Sequence, residues 1–196
     1  MKIIDCLHIP FYEFQCDEGL VDNVLQRATN TKFNPDGVSD YFFDQNLFRW
    51  FEQCLEDVGG QLYNDKIKLK ISTCWINKID KFENIHLHHH INSIVSGIMY
   101  FSNESSGKTI FEIPNPWFFA ENQQVLKLAK GVVEDKPPVI KTEITPAKGK
   151  LILFPSSITH RVTTYTGKPS RYTLAFNAFL SGVLAEGSPT AQLVLG

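Results

Sequence analysis

The sequence predicts a mainly β protein in which two N-terminal helices back a sandwich or barrel of mostly antiparallel strands. Three observations predict it. Apolar residues recur at helical spacing in two stretches before residue 65, and from residue 66 the period shortens to two. Beyond that point, Gly and Pro punctuate about eight short apolar runs, as strands joined by turns require. Helices first and strands after, within 196 residues, suit one domain with one core. We divide that single domain, 1–196, into an N-terminal strand with supporting helices (1–65), a β core (66–180) and a C-terminal extension (181–196).

Residues 2–14 read as an extended segment, with Ile3, Ile4, Leu7 and Ile9 mixed among aromatics. Asp17 is the expected N-cap of a short helix through Val21, Val24 and Leu25, with Glu18 in its first turn. Asn34-Pro35-Asp36-Gly37 is turn chemistry and separates this helix from the next. The second helix is expected from about Asp44 to Tyr63. Leu47, Phe48, Phe51, Cys54, Leu55 and Val58 recur there at three- and four-residue intervals, which makes one buried stripe. Ile67, Leu69, Ile71 and Thr73 then alternate with Lys68, Lys70 and Ser72, a half-buried strand. Further strands are expected near 85–90, 94–102, 108–112, 139–144, 150–154, 159–164 and 171–179. The stretch from Asn115 to Lys136 is the least strand-like, with a short helix expected around 121–130.

A net charge of −2 without any block of Lys and Arg argues against a general nucleic-acid binder and against an anionic membrane surface. No stretch approaches the ~20 apolar residues that cross a bilayer. Met1 to Asp5 lacks a basic segment followed by a long apolar one, so no secretory signal is expected. The four cysteines, Cys6, Cys16, Cys54 and Cys74, form no CxxC pair and read as reduced, mostly buried thiols. A cytoplasmic protein is the expectation, and a homodimer stays open.

Five of the six histidines fall in two places, at His86, His88, His89 and His90 and then at His160. In a strand, residues 86, 88 and 90 share one face and 89 takes the other. Two imidazoles at i and i+2 can therefore meet one metal ion. The second place follows a turn at Gly149, the apolar strand Leu151 to Phe154 and a Pro155 break. Eleven positions after His160 begins Arg171-Tyr172-Thr173-Leu174-Ala175-Phe176-Asn177. Tyr172, Leu174 and Phe176 make an apolar face, while Arg171, Thr173, Ala175 and Asn177 offer the other face a cation, a hydroxyl and an amide. The planar fork of Arg suits a carboxylate, to which it donates two parallel hydrogen bonds.

In these pieces the chain resembles the 2-oxoglutarate/Fe(II)-dependent oxygenases. The resemblance is to a branch of small oxygenases, mostly of unassigned substrate. It rests on Trp75-Ile76-Asn77, His88-His89-His90-Ile91-Asn92-Ser93, Ser96-Gly97-Ile98-Met99-Tyr100, Phe111-Glu112-Ile113-Pro114, Phe154-Pro155-Ser156, His160 and Arg171, in that order. It covers about residues 66–180. It implies a double-stranded β-helix core, of jelly-roll or cupin-like form, backed by the two helices. It further implies Fe(II) held by His88, His90 and His160, with 2-oxoglutarate and O2 as cosubstrates. Arg171 would anchor the far carboxylate of 2-oxoglutarate with help from Thr173, and Tyr100 would reach the cofactor with its hydroxyl. Asn77, Asn177 and Trp75 would contact substrate or support the site.

One departure matters. Most of that superfamily binds iron through two His and one carboxylate. Here His90 stands at the carboxylate position, with His86 and Glu112 as the alternatives. Three neutral imidazoles leave the whole charge on Fe(II), which a dianionic 2-oxoglutarate would neutralise. Two rival readings are carried forward. One is a cupin-like three-His metalloenzyme without 2-oxoglutarate, which has no need of Arg171. The other is a non-catalytic jelly-roll that binds or supports. The substrate, whether a small molecule or a peptide side chain, is not legible.

Overall fold

The computed structural model describes residues 9–63, 67–114 and 139–195. A short strand β1 (Tyr12–Gln15) precedes α1 (Glu18–Ala28) and α2 (Gln45–Leu62). The strands β2 (Ile67–Ile79), β3 (Ile85–His88), β4 (Val95–Tyr100), β5 (Thr109–Pro114), β6 (Val139–Ile144), β7 (Lys150–Pro155), β8 (Thr159–Val162), β9 (Arg171–Leu184) and β10 (Leu193–Leu195) follow. The expected helix around 121–130, the start of the N-terminal extended segment and Cys6 lie outside the described residues.

Both helix starts follow from their caps. Asp17 accepts from the Leu20 N–H at 3.1 Å, and Asp44 accepts from the Asn46 and Leu47 N–H groups at 3.1 and 3.0 Å. Caps of this kind contribute about 1 kcal/mol each. Arg27 joins the helices, pairing with the Asp44 carboxylate and donating to the Phe43 carbonyl at 2.9 Å. The α2 stripe, Leu47 through Val58, is buried along its whole length against the larger sheet. Each such side chain contributes about 1.5–3 kcal/mol by leaving water.

All strand pairs are antiparallel and form two sheets. The larger runs β1-β7-β4-β9-β10 with β2 along β9, and the smaller runs β3-β8-β5-β6. Together they make the double-stranded β-helix. The middle strands of the larger sheet are buried on both faces. Val95, Met99, Leu151, Leu153, Leu174 and Phe176 pack with the helices. Ile98, Tyr100, Ile152 and Phe154 turn inward and meet Phe111 of β5. Gly97 makes room for this arrangement. A Cβ there would stand 2.4 Å from the ring of Phe176, which itself lies 4.6 Å from the Phe51 ring of α2. Gly97→Ala must push that ring into the helix layer. A loss of about 1–3 kcal/mol is expected, seen as a lower denaturant midpoint at unchanged slope.

Two features depart from the sequence reading. A register shift between Ile71 and Thr73 reverses the phase of β2, so Leu69 is buried before it and Cys74 and Ile76 after it. Thr73, expected on the buried face, is exposed, and Trp75 and Asn77 turn toward the interior of the barrel. One extra residue in a strand does this to every side chain beyond it. The other departure lies at the C-terminus. β9 continues past residue 180 to Leu184, and the expected extension contributes β10, which pairs with its far end.

Cys16, Cys54 and Cys74 are free and buried, and burial pushes all three thiols above their ordinary range. No helix among the described residues is long and apolar enough to cross a membrane.

Candidate active site

A cavity of ≈ 810 Å³ opens between the sheets, and its wall includes His88, His90, His160, Thr109, Arg171 and Thr173. His88, the last residue of β3, pairs directly across the strands with His160 of β8. Their rings stand 4.3 Å apart. His90 is not on the strand, contrary to the alternation expected over 85–90. β3 ends at His88, irregular backbone follows, and the His90 N–H donates to the Ser156 carbonyl at 3.0 Å. Its ring lies 5.1 Å from His160 and 5.4 Å from His88. One nitrogen from each of the three falls within 4.8 Å of the others.

The chemistry of these donors fits a metal ion. His88 Nδ1 bonds the His86 carbonyl at 2.8 Å, and His160 Nδ1 bonds the Ile158 carbonyl at 3.1 Å. A carbonyl only accepts, so both Nδ1 atoms carry protons, and in the neutral ring that tautomer leaves the lone pair on Nε2. His160 is 2% exposed, and the rings of Phe111 and Phe154 lie 5.6 and 4.9 Å from its own. Burial, helped by His88, pushes its pKa down to about 3. Burial also lowers that of His90. Both imidazoles are therefore held neutral, the form that binds metal.

Neither alternative for the third position joins the cluster of three donors. His86 lines the cavity wall but contributes only its carbonyl, to His88. Glu112 accepts from Arg161 Nε at 3.0 Å and lies 3.6 Å from Lys141 Nζ. Next to it, Phe111 pairs with His160 and takes the inward face of β5, so Glu112 faces away. Glu112→Gln is expected to leave Fe(II) affinity within about twofold of wild type, measured by competition with a chelator. His90→Ala should lower it strongly.

Deeper in the cavity, Arg171 is 2% exposed and its Nη1 has no hydrogen-bond partner. No carboxylate pairs with it among the described residues. Burial draws its guanidinium below the ordinary value, opposed by the nearby Tyr100 ring, Glu104 and Tyr165. Thr173 lines the wall two residues on, as the alternation of β9 predicted. Tyr100 stands one layer back. Its ring lies 5.6 Å beneath the guanidinium, and its hydroxyl donates to Thr109 Oγ1 at 2.7 Å. The Tyr100 hydroxyl is thus engaged with Thr109, which itself lines the cavity wall. Burial, as the largest cause, raises the Tyr100 phenol to about 12.

Sequence reasoning missed Thr109, and it missed Ser93, Ser96 and Ser156, which join Asn177 behind His90. The signal was present for Ser96, which shares the inward side of β4 with Ile98 and Tyr100 and pairs with Asn177 in register. At the cavity mouth, Asn34 Oδ1 accepts from the N–H groups of Asp36 and Val38 at 3.0 and 2.9 Å. The turn is pinned to β2, where the Lys78 N–H donates to the Gly37 carbonyl at 2.7 Å. Gly37 has φ 74°, and a Cβ on it would lie 2.2 Å from the Lys78 carbonyl oxygen. This brings Pro35, Asp36 and Val38 beside Trp75 and Asn77.

A double-stranded β-helix that gathers three imidazoles in one cavity with a buried arginine, paired by no carboxylate among the described residues, is the arrangement of an iron oxygenase. Residues 73–177 match the family described as "Putative 2OG-Fe(II) oxygenase", and the chain belongs to that family. Solved structures carry the same fold. A 2OG-Fe(II) oxygenase family oxidoreductase from Burkholderia pseudomallei aligns over 86% of this chain and 83% of its own, at 13% identity and TM-score 0.60. A prolyl-4-hydroxylase from Pseudomonas putida aligns over 86% and 92%, at 11% identity and TM-score 0.58. HygX from Streptomyces hygroscopicus, solved with nickel, 2-oxoglutarate and hygromycin B, aligns over 87% and 82%, at 12% identity and TM-score 0.56. No curated protein matches the sequence.

Proposed function

We propose that the chain is a hydroxylase whose Fe(II) is held by His88, His90 and His160 and whose 2-oxoglutarate is anchored by Arg171. The observation that carries this reading is the Arg171 guanidinium, buried to 2% exposure with Nη1 unpartnered, in the same cavity as the histidines. A buried guanidinium with a nitrogen left unpartnered is costly, so the site suits a carboxylate that arrives with a ligand. A three-His site acting without 2-oxoglutarate has no use for that cation, and a binding module has no use for either feature.

When bound, Fe(II) with 2-oxoglutarate and O2 supplies the oxidation, in which the cosubstrate becomes succinate and CO2 and the substrate gains one oxygen atom as a hydroxyl. The chain's own residues bind and orient. The three imidazoles leave the metal's charge unneutralised, which favours the dianionic cosubstrate over neutral competitors. Arg171 would hold the distal carboxylate, with the Thr173 and Thr109 hydroxyls on the same cavity wall and Tyr100 backing the guanidinium. Ile98, Phe111 and Phe154 keep the inner end of the barrel apolar and exclude water. The substrate, a small molecule or a peptide side chain, enters past Trp75, Asn77 and the Asp36 turn. Buried free thiols at Cys16, Cys54 and Cys74 suit a reducing, cytoplasmic setting.

The test is 2-oxoglutarate turnover without added substrate, read as succinate and CO2 from tag-free protein loaded with Fe(II). Slow, iron-dependent succinate formation is expected. Its absence from protein that binds iron stoichiometrically would favour the three-His reading without 2-oxoglutarate.

A further inference from the structure

His90 differs from the other two imidazoles in the partner of its Nδ1. His88 and His160 face carbonyls, which fix their tautomers, whereas His90 Nδ1 meets the side-chain amide of Asn177. An amide accepts at one end and donates at the other, so its orientation decides which nitrogen of His90 carries the proton. Behind the amide runs a row of hydroxyls. Ser96 Oγ donates to Asn177 Oδ1 at 2.8 Å, Ser96 and Ser156 hydroxyls lie 2.8 Å apart, and Ser156 and Ser93 hydroxyls lie 2.7 Å apart. Ser96 and Ser156 are 0% and 1% exposed, so water does not complete their bonding.

Each hydroxyl has one proton, and the row satisfies itself in two orders. In the first, Ser93 donates to Ser156, Ser156 to Ser96, and Ser96 to the amide oxygen of Asn177. That oxygen then accepts from His90 Nδ1–H, and Nε2 keeps its lone pair. In the second, Ser93 donates to the carbonyl of Val95 (3.1 Å) or Ala178 (3.3 Å), Ser156 to Ser93, and Ser96 to Ser156. Ser96 then has no proton for Asn177. The amide must turn its NH2 toward Ser96 and His90, which places the imidazole proton on Nε2, where a metal has to bind. The first order is favoured on geometry. It is the order in which Asn177 Oδ1, the atom turned toward both Ser96 Oγ and His90 Nδ1, accepts from both.

We propose that Ser93, Ser156 and Ser96 form a proton-ordered row that, through Asn177, holds His90 as the Nδ1–H tautomer and so readies its Nε2 for Fe(II). These four are positioning residues, and the inference rests on His90 being a metal ligand. It also gives a physical reason for three of the motif segments to occur together, since Asn92-Ser93, Ser96-Gly97 and Phe154-Pro155-Ser156 each supply one hydroxyl. Outer partners of this kind set metal affinity by about 10–100-fold.

The experiment is nitrogen-15 NMR of the histidine rings in metal-free protein, paired with Fe(II) affinity by competition. Wild type should show His90 as Nδ1–H. Ser96→Ala should move it toward Nε2–H and lower Fe(II) affinity at least ~10-fold. Adding Asn177→Asp, an ionised side chain that only accepts, should restore the Nδ1–H tautomer and most of the affinity despite the missing hydroxyl. A merely structural Ser96 would not be rescued in this way. In the same spectra His160, fixed by the Ile158 carbonyl, reports that the barrel is intact. An unchanged His90 tautomer in Ser96→Ala, or no recovery of that tautomer in the double variant, would overturn the proposal. Wild-type Fe(II) affinity in His90→Ala would instead overturn the ligand assignment beneath it.

Discussion

Arg171→Ala is expected to weaken 2-oxoglutarate binding at least ~10-fold while Fe(II) occupancy stays near wild type. The guanidinium is not one of the three grouped donors, so the metal should not sense its loss directly. The ligand should. A bidentate contact to a buried carboxylate contributes about 2–5 kcal/mol, because its removal strands a charge that has already lost its water. Lysine at the same position should recover only part of the affinity, since a point charge lacks the planar fork. In the free protein the substitution has a second consequence. It removes a buried cation that no carboxylate pairs among the described residues, and the unbranched Met stem still covers the Tyr100 ring, so Arg171→Met should not destabilise the fold, whereas Arg171→Ala also leaves a void. Thermal unfolding without ligand checks this independently. A lower melting temperature for Arg171→Met would mean that the guanidinium is paired in the free protein.

His160→Ala should reduce Fe(II) affinity by more than the ~10–100-fold that the loss of a supporting partner costs, because a donor itself is removed. His160 is also packed between Phe111 and Phe154, so the substitution leaves a void in the barrel. Circular dichroism and the unfolding midpoint are therefore part of the measurement. His89→Ala is the matching control, since His89 is exposed and outside the cluster of three. Equal iron loss in both variants, or none in His160→Ala, would contradict the ligand set.

How much of this was legible in the sequence varied with how local the cause was. The caps Asp17 and Asp44 and the α2 stripe are set by short-range spacing, and the helices start and bury as that spacing predicts. The alternation from Arg171 to Asn177 was legible for the same reason. It sends Leu174 and Phe176 to the helices and Arg171 and Thr173 to the cavity. What was not legible depends on register or on a partner distant in sequence. The shift between Ile71 and Thr73 changes the faces of Trp75 and Asn77 without leaving a Gly or Pro as a mark. His90 follows His88 in irregular backbone, although a continued strand gives the same i, i+2 pattern. Tyr100 reaches Thr109 across the barrel, and the serine row closes only when β4, β7 and β9 lie side by side. The pairing of Ser96 with both Phe154 and Asn177 is a fact of sheet order, which no single segment encodes.

The most direct test of the account is an anaerobic titration of tag-free, Fe(II)-loaded protein with 2-oxoglutarate, followed by the metal-to-ligand absorption that arises when the 2-oxo acid chelates iron. The account predicts a saturable band that needs both iron and 2-oxoglutarate and reaches one equivalent per chain. That band should be lost in His160→Ala and shifted to higher 2-oxoglutarate in Arg171→Ala. Iron bound at one equivalent with no band at any 2-oxoglutarate concentration would contradict it.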